Sequence, residues 1–349
     1  MSNLSLTNLS LAGGCGCKLE PEKLQTILSH FKVKEMKGVK IGFDTSDDCA
    51  VYEYSHEDYL LFTTDFFTPL VDDPYVYGSL AAANALSDVF AMGGKPIIAN
   101  TILGFPPDKL SPEIIQEILR GGANAFEKVD CAIVGGHTII NQQPIYGFSI
   151  IGRVDKNNLK PNNGAKDGDI LILTKPIGSG VLSNALKLGL LNDECYNHLL
   201  PFLLEINTYG YELGKIQSVH AMTDVTGFGL VGHALEMTQN NSCSLEIDSK
   251  HVDFFLGTQE LCDAVFSPTS GAVKNLKAYS EKVEFLGTWS LEEKFLFCDP
   301  QSNGGLLIAV DPNALEAVQS ILQASLGRLG KVIGRFSSCV GSKPLRIIK

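Results

Sequence analysis

Hydrophobic and polar positions follow two patterns in the first half of the chain. Short runs of β-branched and aromatic residues between polar clusters predict strands. An alanine-rich segment over 77–92 predicts a helix, and so does the segment 111–126, in which Glu113 lies in the first turn. The predicted strands cover 49–54, 59–67, 96–105, 131–134 and 145–154.

A segment rich in asparagine and glycine, 155–168, separates this half from the second one and is typical of a domain boundary. Beyond it the same patterns predict strands over 169–174, 244–248, 294–298 and 304–310 and near Val332 and Ile347. They also predict three helices: one that ends near Leu190, one over 227–237 and one over 312–326. The chain therefore reads as a two-domain α/β (α+β) protein. We expect a flexible N-terminal arm with a short helix (1–45), a first domain (46–155), a linker (156–168) and a second domain (169–349).

Composition narrows the possible partners. The chain has 349 residues, with 39 acidic against 28 basic side chains and a formal net charge of −11, whereas a nucleic-acid binder needs a basic surface. No apolar run approaches the roughly 20 residues of a transmembrane helix, and the first basic residue is Lys18, too late for the charged start of a signal peptide. The nine cysteines are an odd number and mostly isolated, which favours reduced thiols. We expect a cytoplasmic protein with neither a membrane nor a nucleic-acid partner.

The glycine-rich segment 13–18 is the first candidate for chemistry. A thiol becomes a good nucleophile when a nearby cation stabilises its thiolate, and Lys18 is three residues from Cys15. The glycines allow the backbone to approach a ligand closely. Two other interpretations stay open: Cys15 and Cys17 are incidental thiols in a loose terminus, or they are half of a metal site whose other ligands lie elsewhere.

Several aspartates form the second candidate site. Asn84 and Asp88 are four residues apart on the predicted alanine-rich helix, so both project from one face and need polar partners if buried. Carboxylates at about 4 Å repel each other by roughly 4 kcal/mol at an effective dielectric constant near 20, so a cluster of them requires a cation or protons. Oxygen ligands favour Mg²⁺, Mn²⁺ or Ca²⁺. The alternative is that each aspartate only caps a helix or a turn. The candidates are Asp47, Asp48, Asp65, Asp88 and Asp224.

Two glycine motifs could bind anions. Gly135-Gly136-His137-Thr138 follows a predicted strand, so its backbone N–H groups could face a phosphate, although an ordinary tight turn is an equal alternative. The segment 227–232 matches the dinucleotide fingerprint, but the polar residues 223–226 stand where that fingerprint needs an apolar strand. We therefore expect its glycines to serve helix capping and close packing.

Together these segments resemble the selenophosphate synthetase (selenide, water dikinase) family. The resemblance includes Gly-Cys-Gly-Cys-Lys at 14–18 and Asp-Pro-Gln-Ser-Asn-Gly-Gly at 299–305. It implies the two-domain fold of aminoimidazole ribonucleotide synthetase (PurM-like), with N-terminal sheets of two subunits paired into a β-barrel. It also implies the reaction of ATP, selenide and water to selenophosphate, AMP and orthophosphate, which supplies selenium for selenocysteine and selenouridine. The matching segments are 14–18, 46–52, 63–67, 84–96, 135–137, 173–178, 221–232 and 299–305.

The resemblance also implies roles for individual residues. Cys15 takes the place of the family's catalytic cysteine or selenocysteine, and Lys18 is a catalytic lysine near the ATP phosphates. The implied Mg²⁺ ligands are Asp48, Asp88 and Asp224. The remaining nucleotide contacts would come from Thr45, Ser46, Asp47, Asp65, Asp88, His137, Thr138 and Ile139, of which the last three are expected to reach the site of a partner subunit.

The chain departs from the family pattern at two places. Cys15 stands where many members have selenocysteine, so lower activity is expected. Ser302-Asn303 replaces the usual Thr-Ser, so the resemblance implies the turn there but no side-chain role. Two alternative functions stay open: another ATP-dependent small-molecule kinase or ligase on the same fold, or a non-catalytic metal- or selenium-binding protein. The thiols of the arm disfavour the first and the aspartates disfavour the second.

Overall fold

Two β-sheets, each covered by helices, form from the β-branched runs on either side of the segment 155–168. The computed structural model describes residues 5–10, 13–14, 19, 21–28, 36–42, 46–267, 270–338 and 342–349. In these ranges the strands are β1 (Val39–Ile41), β2 (Ala50–Glu53), β3 (Asp58–Phe67), β4 (Lys95–Phe105), β5 (Ala132–Ile140), β6 (Ile145–Asp155), β7 (Ile170–Leu173), β8 (Val219–Asp224), β9 (Ser244–Asp248), β10 (Val283–Leu286), β11 (Leu306–Val310), β12 (Lys331–Ser337) and β13 (Leu345–Ile348). The α-helices are α1 (Pro21–Leu28), α2 (Pro74–Ala91), α3 (Pro112–Glu127), α4 (Ser179–Lys187), α5 (Asp193–Leu204), α6 (Tyr209–Gly214), α7 (Gly229–Met237), α8 (Thr258–Val265), α9 (Gly271–Tyr279), α10 (Leu291–Phe297) and α11 (Leu315–Leu326).

The N-terminal sheet has the strand order β1-β2-β3-β6-β4-β5, and only the β4–β5 pair is parallel. Successive side chains of a strand point to opposite faces of its sheet. In β3 this alternation buries Thr63 and Asp65 and exposes Phe62 and Phe66. Helices α2 and α3 cover the inward face. The outward face therefore retains exposed apolar side chains.

Helix α2 connects the two halves of the molecule. Asp73 accepts a hydrogen bond from Val76 N–H at 2.9 Å and caps the helix, and Pro74 begins it. A Cβ atom at Gly78 would lie 1.9 Å from the carbonyl oxygen of Ile118, so only glycine permits this close packing on α3. The opposite side of α2 packs on α5, α6 and β8. Polar residues of α2 consequently lie between the two sheets.

The C-terminal sheet has the strand order β10-β13-β9-β12-β7-β11-β8. All five side chains of β11 are buried because helices lie over both faces of this sheet. Strand β8 pairs only with β11 and forms an edge next to α2. Asp224, the last residue of β8, is thereby directed toward the N-terminal half.

The segment between the sheets is bonded to both halves. Lys160 N–H donates to Met92 O at 3.3 Å, and its ammonium donates to Ile216 O at 3.0 Å. At the N-terminus, Asp72 accepts from Ser5 Oγ, Thr7 N–H and Thr7 Oγ1 at 2.8–2.9 Å. The flexibility of the rest of the arm stays a prediction. No helix among the described residues is long and apolar enough to cross a membrane.

Three local predictions are wrong. Residues 291–297 form helix α10 rather than a strand over 294–298, because Ser290 and Glu293 form a reciprocal capping box that begins a helix. Residues 135–138 continue strand β5 rather than turn, because β4 pairs with them as far as Ile140.

The third wrong prediction concerns the segment before the glycines at 227–232. Strand β8 does precede them, and its polar end is buried. The dinucleotide interpretation still fails, because β8 is an edge strand paired antiparallel with β11 and is not followed by an adjacent parallel strand.

Candidate active site

Strand β3 and helix α2 bring two acidic residues together with their hydrogen-bond donors. Thr63 Oγ1 donates to Asp88 Oδ2, and Asn84 Nδ2 donates to Asp65 Oδ2. Asn84 is fully buried and Asp65 is 8% exposed. The expectation that Asn84 and Asp88 share a helix face and need polar partners is confirmed. Asp65 lies within β3, in agreement with the predicted strand over 59–67.

Two further aspartates come from the start of β2 and the end of β8. Thr223 Oγ1 donates to Asp48 Oδ1 at 3.1 Å and joins the two halves of the molecule at this point. Burial raises the pKa of the Asp48 carboxyl well above its usual range, and the negative charges of Asp224 and then Asp88 raise it further. Asp224 itself is 1% exposed. We call Asp47, Asp48, Asp88 and Asp224 the acid cluster.

The linker fixes the segment that enters the acid cluster. Asn162 N–H donates to Asp47 Oδ1 at 2.8 Å, and Asn162 Nδ2 donates to Ser46 O at 3.1 Å. Ser46 has a φ of 57°, in the left-handed region that non-glycine residues seldom adopt. Asn162 is 1% exposed and was not among the predicted site residues. The sequence around Asn162 indicates only a loop. Its contacts with Ser46 and Asp47 could not be predicted, because both residues precede it by more than a hundred positions.

The acid cluster fits a hard divalent cation together with phosphate oxygens. Asp48 Oδ2 is buried and has no hydrogen-bond partner among the described residues. Within the same ranges, no three His, Cys, Asp or Glu side chains are close enough together to hold a metal ion alone. Mg²⁺ is commonly bound through one or two carboxylates, with waters and substrate phosphates completing its octahedron. A site of this kind needs the nucleotide as well as the protein.

A buried turn of the C-terminal domain packs against the other end of Asn84. Asn303 N–H donates to Asn84 Oδ1 at 2.8 Å. One helical turn away, Asn207 Nδ2 donates to Ser87 Oγ at 2.8 Å and to Gly304 O at 2.9 Å. We call Asn84, Asn207 and Asn303 the amide seam. The sequence placed Asn303 in a glycine-rich turn but gave no sign of the contact with α2.

Gly14, at the start of the glycine-rich segment, packs against the same turn. Gly14 N–H donates to Thr68 O at 3.0 Å, just after β3. A Cβ atom on Gly14 would lie 2.4 Å from Ser302 Oγ, and the φ of Gly14 is 57°, so glycine is required for this approach. Three predicted site residues, Cys15, Lys18 and Thr45, lie outside the described residues.

The predicted nucleotide segment 137–139 lies elsewhere in the protomer. His137, Thr138 and Ile139 are exposed residues of β5, the edge strand of the N-terminal sheet. Strand β5 is three positions from β3, which corresponds to about 14 Å across the sheet. These residues are therefore not brought together with Asp65 in one chain.

Comparison with known proteins identifies the family of this chain. The model of the AIR synthase related protein N-terminal domain matches residues 46–154, and that of the corresponding C-terminal domain matches 166–340. A selenide, water dikinase of Pseudomonas straminea is 41% identical over 347 residues, 97% of each chain. One from Clostridioides difficile is 40% identical over 330 residues, 94% of each chain. The chain belongs to the selenide, water dikinase family.

Solved structures with lower sequence identity share the fold of this selenide, water dikinase family member. Thiamine monophosphate kinase from Aquifex aeolicus superposes with a TM-score of 0.65 at 17% identity and covers 94% of this chain and 96% of its own. A chain of a HypE–HypF complex gives a TM-score of 0.68 at 16% identity, with 94% and 95% covered. At these identities the similarity extends to the two-domain fold alone.

Proposed function

We propose that this chain synthesises selenophosphate from ATP, selenide and water and releases AMP and orthophosphate. The observation that carries the proposal is an identity near 40% with selenide, water dikinases over nearly the whole chain. Hydroselenide would attack the γ-phosphorus and displace ADP, and water would then cleave ADP to AMP and orthophosphate. The product would supply activated selenium for selenocysteine and selenouridine.

The acid cluster would hold Mg²⁺ through Asp48, Asp88 and Asp224. When bound, Mg²⁺ neutralises phosphate charge and polarises the γ-phosphoryl group. Asp65 and Asp88 would contact the nucleotide, together with Thr45, Ser46 and Asp47. The bonds from Asn162 support this arrangement because they fix the backbone of Ser46 and the carboxylate of Asp47 before a ligand arrives.

The glycine-rich arm would supply the catalytic groups. Cys15 would carry or orient the selenium nucleophile, and Lys18 would stabilise charge that develops on the γ-phosphoryl oxygens. The tight contact of Gly14 with Ser302 supports an arm that passes over the turn beside Asp65. An arm closed in this way would exclude bulk water, which competes with selenide for the γ-phosphorus.

A homodimer would complete the nucleotide site. The outward face of the N-terminal sheet exposes Phe62 by 51% and Phe66 by 44%, which supports burial against a second copy. His137, Thr138 and Ile139 on β5 would then reach the partner's nucleotide. Sedimentation velocity should show that Phe62→Lys produces monomers, whereas Tyr54→Lys, at the exposed β2–β3 turn, leaves the dimer intact. A wild-type monomer at micromolar concentration would contradict the dimer.

We further propose that the protein acts in the cytoplasm. The described cysteines, among them Cys49 and Cys298, are free and buried, and burial raises the pKa of both thiols. Protonated, buried thiols resist oxidation and need no disulfide partner, which supports a reducing compartment.

Nucleotide analysis by liquid chromatography tests the proposed reaction. We expect AMP to accumulate with Mg·ATP only when selenide is present, and we expect the Cys15→Ala variant to bind nucleotide without forming selenophosphate. ADP as the only final product would indicate an ordinary kinase on the same fold. Selenophosphate formation by Cys15→Ala at the wild-type rate would remove Cys15 from the mechanism.

A further inference from the structure

A buried lysine of the C-terminal domain holds the turn that contacts Asn84. Lys175 is 3% exposed, and its ammonium donates to the carbonyl oxygens of Glu205 at 2.8 Å, Asn303 at 2.9 Å and Phe202 at 3.2 Å. Burial lowers the pKa of Lys175 to about 7. A lysine buried at this cost, with three carbonyls converging on it, fixes the backbone at Asn303 to the end of α5.

The side chain of Asn303 strengthens the same attachment. Asn303 Nδ2 donates to Leu203 O at 2.7 Å and to Glu205 O at 2.9 Å, and thereby caps the last carbonyls of α5. The residue has a φ of 48°, a conformation that asparagine tolerates better than most side chains. A serine at this position would be too short to reach both carbonyls.

The fixed turn determines which way the Asn84 amide faces. Because the Asn303 N–H can only donate, it selects the oxygen of the Asn84 amide and leaves the NH₂ group for Asp65. An Asn84 amide turned the other way would place two oxygens against each other at Asp65. The chain of contacts runs from Lys175 through Asn303 and Asn84 to Asp65.

We propose that Lys175 and Asn303 are positioning residues for the nucleotide: through Asn84 they hold the Asp65 carboxylate in its binding orientation. This inference rests on the proposed function, because it takes Asp65 as a nucleotide contact. It makes nucleotide affinity depend on a contact between the two domains, although neither positioning residue touches the nucleotide.

Nucleotide titration of four variants tests the inference. The probe is Mg·AMPPCP, a non-hydrolysable ATP analogue, measured by isothermal titration calorimetry on the full chain. We expect Lys175→Met to weaken binding about tenfold or more, and Asn303→Gly, which keeps the N–H and accepts the positive φ, to weaken it a few-fold. Lys160→Met is the matched control, since Lys160 is equally buried but donates to Ile216 O; it should bind as the wild type does.

The fourth variant separates positioning from general destabilisation. Asn84→Asp keeps the acceptor for Asn303 N–H but places a carboxyl group against Asp65, so that the two acids share a proton. As the pH rises from 6 to 8, the nucleotide affinity of Asn84→Asp should decrease by a factor at least ten times larger than the corresponding factor for the wild type. This pH profile serves as the readout even if Lys175→Met does not fold.

The outcomes distinguish the inference from the function on which it rests. If the wild type does not bind Mg·AMPPCP, the proposed function fails first. If the wild type binds and Asn303→Gly and Asn84→Asp bind equally well with the same pH profile, the positioning role is wrong. An equal loss in Lys160→Met and Lys175→Met would also overturn it, because the effect would then follow from removal of any buried lysine.

Discussion

Two buried polar regions adjoin helix α2. One consists of acidic side chains and the other of uncharged amides, and they differ in what satisfies their polar groups. In the acid cluster, the negative charges of Asp224 and Asp88 both act on Asp48 and raise the pKa of its carboxyl further than burial alone does. In the amide seam, Asn84 and Asn207 use both the donor and the acceptor of their amides. The first arrangement needs a cation or protons to be favourable, and the second holds two domains together without either.

This difference assigns different tasks to neighbouring turns of one helix. Asp88 accepts from Thr63 of the N-terminal sheet and belongs to the proposed metal site, whereas Asn84 and Ser87 also bond to the C-terminal domain. Substitutions in the acid cluster should therefore alter ligand response more than stability. In the amide seam, substitution of Asn207, which bonds to neither Asn84 nor Asp65, should do the reverse.

The largest expected effect is that of Asp48→Asn. Loss of one charged metal ligand should lower the rate of AMP formation roughly 10³-fold, which corresponds to about 4 kcal/mol of transition-state stabilisation. Without metal the variant should be at least as stable as the wild type, because a buried like charge is removed. Turnover and thermal melts with EDTA or with Mg·ATP measure both. A destabilised apo variant with an unchanged Mg²⁺ response would remove Asp48 from the metal site.

Asn207→Ala is expected to change activity less than Asp48→Asn does, but to lower the free energy of unfolding more. The change leaves Gly304 O, Ser87 Oγ and Tyr209 OH without their amide partner and should cost about 3 kcal/mol of unfolding free energy. Guanidinium unfolding with and without Mg·ATP should give the same loss. A loss that disappears on addition of Mg·ATP would make Asn207 part of the ligand site.

The sequence predicts those elements whose residues follow a clear local pattern, and it fails where the residue types are typical of another structure. Local patterns placed β3, α2 and α3 within a few residues, and the four-residue spacing of Asn84 and Asp88 placed both on one face. The apolar run 295–297 favours a strand in the sequence, whereas the capping box at Ser290 begins helix α10. Strand β8 has no clear signal in the sequence because its buried end carries Thr223 and Asp224, which are residue types typical of loops.

The missing parts of the site depend on contacts between distant positions. Asn162 reaches Asp47 from 115 residues away, and Asn303 reaches Asn84 from 219 residues away. No periodicity or spacing within one window encodes such pairs. Lys175 appeared only as part of a family segment, and its burial among three carbonyls became evident from the fold. The residue types of the acid cluster were identifiable beforehand, but the frame that holds them was not.

The last predicted effect concerns the pH dependence of stability at the turn that carries Asn303. Burial raises the pKa of Asp299 to about 7, although bonds from Val181 and Gln301 oppose the shift. Between about pH 4 and 7 the native state retains a proton that the unfolded chain has already released. The free energy of unfolding therefore falls as the pH rises through this window. Asp299→Asn should reduce that slope by up to about 1.4 kcal/mol per pH unit.

Urea unfolding at several pH values between 4.5 and 7.5 measures this slope. Asp167→Asn, whose carboxylate accepts from Ser338 N–H at the protein surface, serves as a control and should leave the slope unchanged. Equal slopes for Asp299→Asn and the wild type would mean that Asp299 is ionised in the native state throughout. The turn would then carry a buried charge next to the amide seam, and the contrast between the two regions would be weaker.

The most direct test of the whole account is the ³¹P NMR spectrum of a reaction with Mg·ATP and ⁷⁷Se-labelled selenide. The account predicts a new phosphorus resonance split by coupling to ⁷⁷Se, together with AMP and orthophosphate in equal amounts. The resonance should be absent without selenide. Formation of ADP with no ⁷⁷Se-coupled phosphorus would contradict the account.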